Sequence, residues 1–155
     1  MPVKILKEYL DNHHVRYGCL NHSRAYTAQE VAASAHISGK LLAKTIIVKM
    51  GNQFAMVVLP AHDYINFDAL KAATASQTVD LASESEFKNK FPECDPGAMP
   101  PFGNLYEMPV YASSRLSQHD QIIFSAGTHI ELLQMAYADF ERLVKPKVIS
   151  TEHDE

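Results

Sequence analysis

Tryptophan is missing from this chain, and glycine and cysteine are scarce: 155 residues hold no Trp, six Gly and two Cys. Cys19 and Cys94 stand far apart and form no CxxC pair, which argues against a redox dithiol or a disulfide scaffold and for a reduced, cytoplasmic protein. No apolar run approaches the roughly 18 residues that would suggest a membrane span. The opening MPVKILKEYL has charges among its apolar residues and no cleavage site after it, so it reads as an amphipathic helix and not as a secretory signal. Eight histidines are present without an HExxH, an HxH or a Cys/His cluster, and no metal site or other cofactor is expected. The chain also lacks a GxSxG elbow, a Walker A loop and a GxGxxG fingerprint, which removes the common signatures of serine hydrolases, nucleotide hydrolases and dinucleotide enzymes.

What is present fits one globular domain. Hydrophobic residues make up 46% and charged residues 21%, enough apolar material for a real core in a chain of this length. The net charge of −4 argues against a general nucleic-acid coat. Its distribution is uneven: residues 1–50 hold seven Lys/Arg and three Asp/Glu, and residues 51–155 hold seven and fifteen. A basic first third can mark one face that meets an anion, although halves of a sequence need not be halves of a surface.

Strands and helices alternate without repeats or linkers. Val3, Leu6, Tyr9, Leu10 and His13 fall at helical spacing. TAQE, Thr27 to Glu30, has the form of a capping box opening a short alanine-rich helix. LLAKTIIVKM and QFAMVVLP flank Gly51-Asn52, a two-residue hairpin signal. NFDALKAA reads as a helix capped by Asn66, TVDLA as a short strand, and SESEF as a second capping box using Ser83 and Glu86. PVYAS, QIIFSA and IELLQM are strand candidates, and YADFERLV is a helix. The domain is expected over residues 1–145, with 146–155 a mobile tail that has little to bury. Hairpins mixed with crossovers favour an α+β domain over a doubly wound parallel one.

Three places invite chemistry. Period-two alternation puts Lys44 on a strand face with Leu42, Ile46, Val48 and Met50, so its ammonium either snorkels or points into a cavity where an anion compensates it. GAMPPFG, Gly97 to Gly103, is stiff in the middle and free at its ends; it is either a surface turn or a rigid rim that offers backbone N–H groups to a ligand. SAGTH, Ser125 to His129, brings a glycine to a strand end, followed by Thr128 and His129, where a histidine could donate a hydrogen bond or simply pack. Cys94 lies beside the second of these without a histidine partner and reads as a small packing residue.

In order, HSRAYTAQEVA from His22, LAKTIIVK around Lys44, FPECDPGAMPPFG and AGTH resemble the YbaK/prolyl-tRNA-synthetase-associated editing domains, from about His22 to about Leu143. The resemblance implies a single α+β domain with a mixed, barrel-like sheet flanked by helices. It implies a trans-acting, metal-independent aminoacyl-tRNA deacylase that removes a small amino acid, often from tRNA for proline. Lys44, Gly97 and His129 would be catalytic. His22, Tyr26, Thr27, Ala98, Met99, Pro100, Pro101, Phe102, Gly103, Gly127 and Thr128 would bind substrate. Lys44 would hold the 3′ end of the tRNA, the Gly97–Pro101 loop would place the aminoacyl group, and water would be the nucleophile. The partner implied is the acceptor end of aminoacyl-tRNA, with a synthetase as a further one and a monomeric state as the default. Affinity would be weak and steeply salt-dependent, as phosphate contacts are. Two other readings keep the fold: a module that binds tRNA or a small ligand without hydrolysis, and an interaction domain for a synthetase.

Overall fold

A computed structural model describes residues 4–21, 42–95, 97–128 and 130–149. The first helix, α1 (Lys4–Asn12), buries Leu6 and Leu10, one turn apart on a single face. It ends where His14 turns to a φ of 56° and the Val15 N–H returns to the Leu10 carbonyl. The expected hairpin forms from β2 (Leu42–Met50) and β3 (Gln53–Pro60), antiparallel, with Met50 opposite Gln53 and Gly51 at a φ of 63°. Helix α2 (Phe67–Thr74) starts at Asn66, whose side chain accepts from the Ala69 N–H. β4 (Val79–Leu81) pairs with β2, and α3 (Glu84–Phe87) follows. β5 (Val110–Ser113), β6 (Gln121–Ser125), β7 (Glu131–Ala136) and α4 (Tyr137–Val144) then appear where the sequence pattern places them. The TAQE capping box lies outside the described residues.

Two further strands have no counterpart in the sequence reading. β1 (Tyr17–Asn21) pairs antiparallel with β7, and β8 (Lys147–Ile149) pairs parallel with β5. They are the two ends of the path β1-β7-β6-β2-β3-β5-β8, with β4 pairing off it onto β2. An edge strand is half solvated and short, so it leaves little periodicity to detect. Part of the segment expected to be a mobile tail is thereby a strand: Ile149 packs on the smaller core, its carbonyl accepts the Ser114 N–H, and the Lys147 Nζ donates to the Ala73 carbonyl. Residues 150–155 lie outside the described ones.

The sheet separates two cores. The larger gathers Leu6 and Leu10 of α1, Ala43 and Ile47 of β2, Phe102, Phe124 and Phe140. Phe102 is its centre, fully buried, with ring centroids of Phe124 at 5.6 Å and Phe140 at 5.8 Å. The smaller holds Val48, Val57, Leu59, Ile65 and Leu70, so β2 sends alternate side chains to each.

Gly103 is fixed by contact. A Cβ there would lie 2.5 Å from the Met108 carbonyl oxygen and 2.6 Å from Val110 Cγ2. Gly103→Ala should cost about 1–3 kcal/mol in chemical denaturation, as overpacked cores do. At Ser83 half of the expected capping box forms: Glu86 accepts from the Ser83 N–H at 3.0 Å, while the Ser83 hydroxyl donates to the same carboxylate at 2.9 Å and the Glu86 N–H goes to the Ser83 carbonyl. Lys49 meets the same carboxylate at 2.7 Å, and chiefly this bond, with the Ser83 bonds, lowers the Glu86 pKa to about 2. A carboxylate depressed on folding adds stability that is present above its ordinary range and is lost as the pH falls through the folded value. Wild type should therefore lose this contribution between about pH 4.5 and about pH 2, and a pH series of urea melts on Glu86→Gln should show a shallower decline across that window.

Candidate functional site

The stretch from Gly97 to Gly103 is a buried strap with one exposed end. Gly97 is exposed at a φ of 81°, a conformation that favours glycine, whereas Ala98, Met99, Pro100, Pro101 and Phe102 are buried. Phe102 plugs the main core, so the strap is anchored by a side chain whose removal elsewhere costs about 3–5 kcal/mol. The two prolines remove two donors and fix φ between the free glycine and that anchor. Of the two readings the sequence leaves open, the structure therefore disfavours an ordinary surface turn.

A backbone clamp joins this strap to the end of β6. The Gly127 N–H donates to the Ala98 carbonyl at 2.9 Å, and the Asp95 N–H donates to the Gly127 carbonyl at 2.7 Å. Gly127 meets the strap at a φ of 103°. Beside it, the Thr128 hydroxyl oxygen is buried and finds no hydrogen-bond partner among the described residues. The N–H groups of Gly97 and Met99 likewise make no hydrogen bond among the described residues. Unmade bonds of this kind are costly in a closed interior and available to a ligand.

Lys44 arrives from the adjoining strand. β2 and β6 pair in parallel through Leu42 with Ile123 and Ala43 with Phe124, so Lys44 stands one residue beyond the last pair, as Ser125 does on β6. Its face is the expected apolar one: Val48 is in the smaller core, Ile46 and Met50 pack against it, and Leu59 of β3 lies opposite Lys44. Half-burial pulls the Lys44 pKa below the usual lysine range, and the negative charge of Asp63 partly restores it. The Lys44 Nζ sits 5.3 Å from the centre of the Tyr64 ring, a cation–π contact. Asp63 is held in turn by Arg115, whose Nη1 reaches its two oxygens at 3.2 and 3.3 Å.

Lys44, the Gly97 strap and the Gly127 bend thus lie on two adjacent strands and the loop clamped to one of them. His22, Tyr26, Thr27 and His129 lie outside the described residues. Phe102 and Gly103 face the core as packing groups. Cys94 behaves as a packing residue too: its sulfur lies 3.7 Å from the Tyr106 hydroxyl, and burial pushes its pKa up, against nucleophilic use. Sequence reasoning missed Asp63, Tyr64 and Arg115, which sit in turns where no periodic pattern exists; the one available signal was an aromatic residue just past a strand end. Among the described residues no group of three His, Cys, Asp or Glu side chains gathers as metal ligands would, and no helix is long and apolar enough to cross a membrane. Two open grooves of about 690 and 600 Å³ lie elsewhere, one beside α1 and Tyr106 and one beside Arg16 and Gln134. Neither is lined by Lys44, Gly97 or Gly127, and neither is lined by a buried hydroxyl as the strap is.

Comparison with known proteins follows the same residues. A solved structure of a hypothetical protein superposes with a TM-score of 0.86 at 18% identity, over 97% of this chain and 100% of that one. A protein described as a candidate trans-editing enzyme for prolyl tRNA synthetase superposes with a TM-score of 0.82 at 15% identity, over 97% and 96%. At such identities these likenesses establish the fold, a mixed α+β domain of the YbaK-like kind. The proline–tRNA ligase of Staphylococcus saprophyticus subsp. saprophyticus is 30% identical over 102 residues, 66% of this chain and 18% of that protein, so the chain spans less than a fifth of the ligase. The family model of the aminoacyl-tRNA editing domain matches residues 22–143, a span that takes in Lys44, the clamped strap and the Gly127 bend, and the chain belongs to that family.

Proposed function

We propose that this protein is a trans-acting deacylase that hydrolyses the ester of a small amino acid wrongly attached to tRNA, with tRNA for proline as the first candidate. The observation that carries the reading is the clamp between Ala98 and Gly127, flanked by donors and a hydroxyl without partners among the described residues. Ester hydrolysis builds negative charge on the carbonyl oxygen, and fixed N–H groups aimed at that oxygen are worth about 2.7–4 kcal/mol each in known hydrolases. In this reading the N–H groups of Gly97 and Met99 supply that stabilisation, and the buried prolines keep the strap from relaxing away. The Thr128 hydroxyl would accept from the amino group of the substrate or donate to its ester. Water attacks the carbonyl carbon, the bond to the ribose oxygen breaks, and the proton released by water ends on that oxygen. The products are a free amino acid and uncharged tRNA. A ribose hydroxyl of the tRNA end would assist the water, and His129 would position one of them.

Lys44 would bind phosphate at the 3′ end. Its apolar surroundings weaken screening and so strengthen its pull on an anion. His22, Tyr26 and Thr27 would complete the binding face. The ligase similarity supports proline tRNA, and a tRNA substrate puts the work in the cytoplasm.

A panel of mischarged tRNAs tests the reading. Wild type should release one small amino acid, and Lys44→Ala should lower the rate at least tenfold at limiting substrate. No release from any tRNA would make the chain a non-catalytic binding module or a synthetase-associated domain. Stability should move the other way. A lysine whose pKa is lowered on folding binds fewer protons than the unfolded chain between the folded pKa and the usual value near 10.5, so its burial cost is full at neutral pH and fades as the pH rises through that window. Lys44→Met should therefore melt at or above the wild-type temperature at pH 7, with the difference shrinking toward pH 10.

A further inference from the structure

We propose that Tyr64 is a stacking platform for the terminal adenine of the tRNA 3′ end, a role that rests on the editing reading. Tyr64 is 65% exposed, in a turn whose neighbours are fixed on both sides. The Asp63 N–H bonds to the Pro60 carbonyl and the Asp63 carboxylate is held by Arg115; Ile65 is buried in the smaller core, and Asn66 caps α2. Folding therefore spends three anchored residues around one aromatic ring and leaves the ring in water. An aromatic side chain so exposed adds little to the core, and its fixed base means that little freedom is lost when something stacks on it.

The surroundings select the partner. Lys44 places an ammonium over the ring, 5.3 Å from its centre, and stands next to the strand that runs into the clamped bend at Gly127. Asp63 is already bonded to Arg115, so among the described residues the locality offers the Lys44 ammonium and an aromatic face. Aromatic rings beside cations are the usual means of holding unpaired bases, sequence-tolerant because every base has a π face. A base stacked on the Tyr64 ring would bring its neighbouring phosphate beside the Lys44 ammonium.

The test uses an uncharged RNA hairpin with a single-stranded 3′ end whose last base is 2-aminopurine, a fluorophore quenched by stacking. Wild type should bind and quench it. Tyr64→Ala should weaken binding roughly tenfold to a hundredfold and abolish quenching, whereas Tyr64→Phe should retain both, because the ring and not the hydroxyl is used. The exposed position should leave the melting temperature of both variants at the wild-type value. Absence of quenching by wild type, equal quenching by Tyr64→Ala, or loss in Tyr64→Phe would each overturn the platform. Deacylation measured in parallel separates the two readings. Quenching without release of any amino acid would overturn the editing reading and leave the platform standing, and release unaffected in Tyr64→Ala, with no quenching, would do the reverse.

Discussion

The two hydrogen bonds between Gly127 and the strap, one given to Ala98 and one taken from Asp95, determine how the rest of the candidate site is arranged. Each is worth only about 0.5–1.5 kcal/mol in net stability. Their larger effect is geometric. They tie a segment that has no regular structure of its own to a strand end that does, and Phe102 ties its other end to the core. A strap fixed at both ends, with prolines between, has few ways to relax. Backbone donors can then stay oriented before any ligand arrives, which is the condition under which they stabilise a developing charge.

Electrostatics around Lys44 follow a different principle. Its ammonium is half-buried and, among the described residues, has no carboxylate of its own to pair with. Asp63 pulls on it from a distance while being bonded to Arg115, and the Tyr64 ring offers a weak, non-competing contact. A lysine in a tight ion pair would have to break that pair to meet phosphate. This one is held in place and still has most of its interaction to give.

Much of this could be read from residues alone, and the limits are physical. The Gly51-Asn52 hairpin, the caps at Asn66 and Ser83, and the alternation around Lys44 are local patterns, fixed by turn geometry and strand period. Gly97 and Gly127 announced themselves because glycine is rare here and both need positive φ. The strands β1 and β8 did not, since each is held at an edge by one neighbour distant in sequence. Tyr64 was equally silent: its contact with Lys44, twenty residues earlier on β2, is a relation that no spacing rule encodes.

The sheet itself acts as a partition. The strap is rooted in the core on one side through Phe102 and Met99, while Lys44 and its neighbours belong to the core on the other. Under the proposed function, changes that reshape the site for a different amino acid would repack the first core, and changes in nucleic-acid grip would repack the second. Because close-packed interiors transmit strain mainly to what they touch, the two selectivities can drift apart under mutation, and the fold lends itself to acquiring new substrates one property at a time.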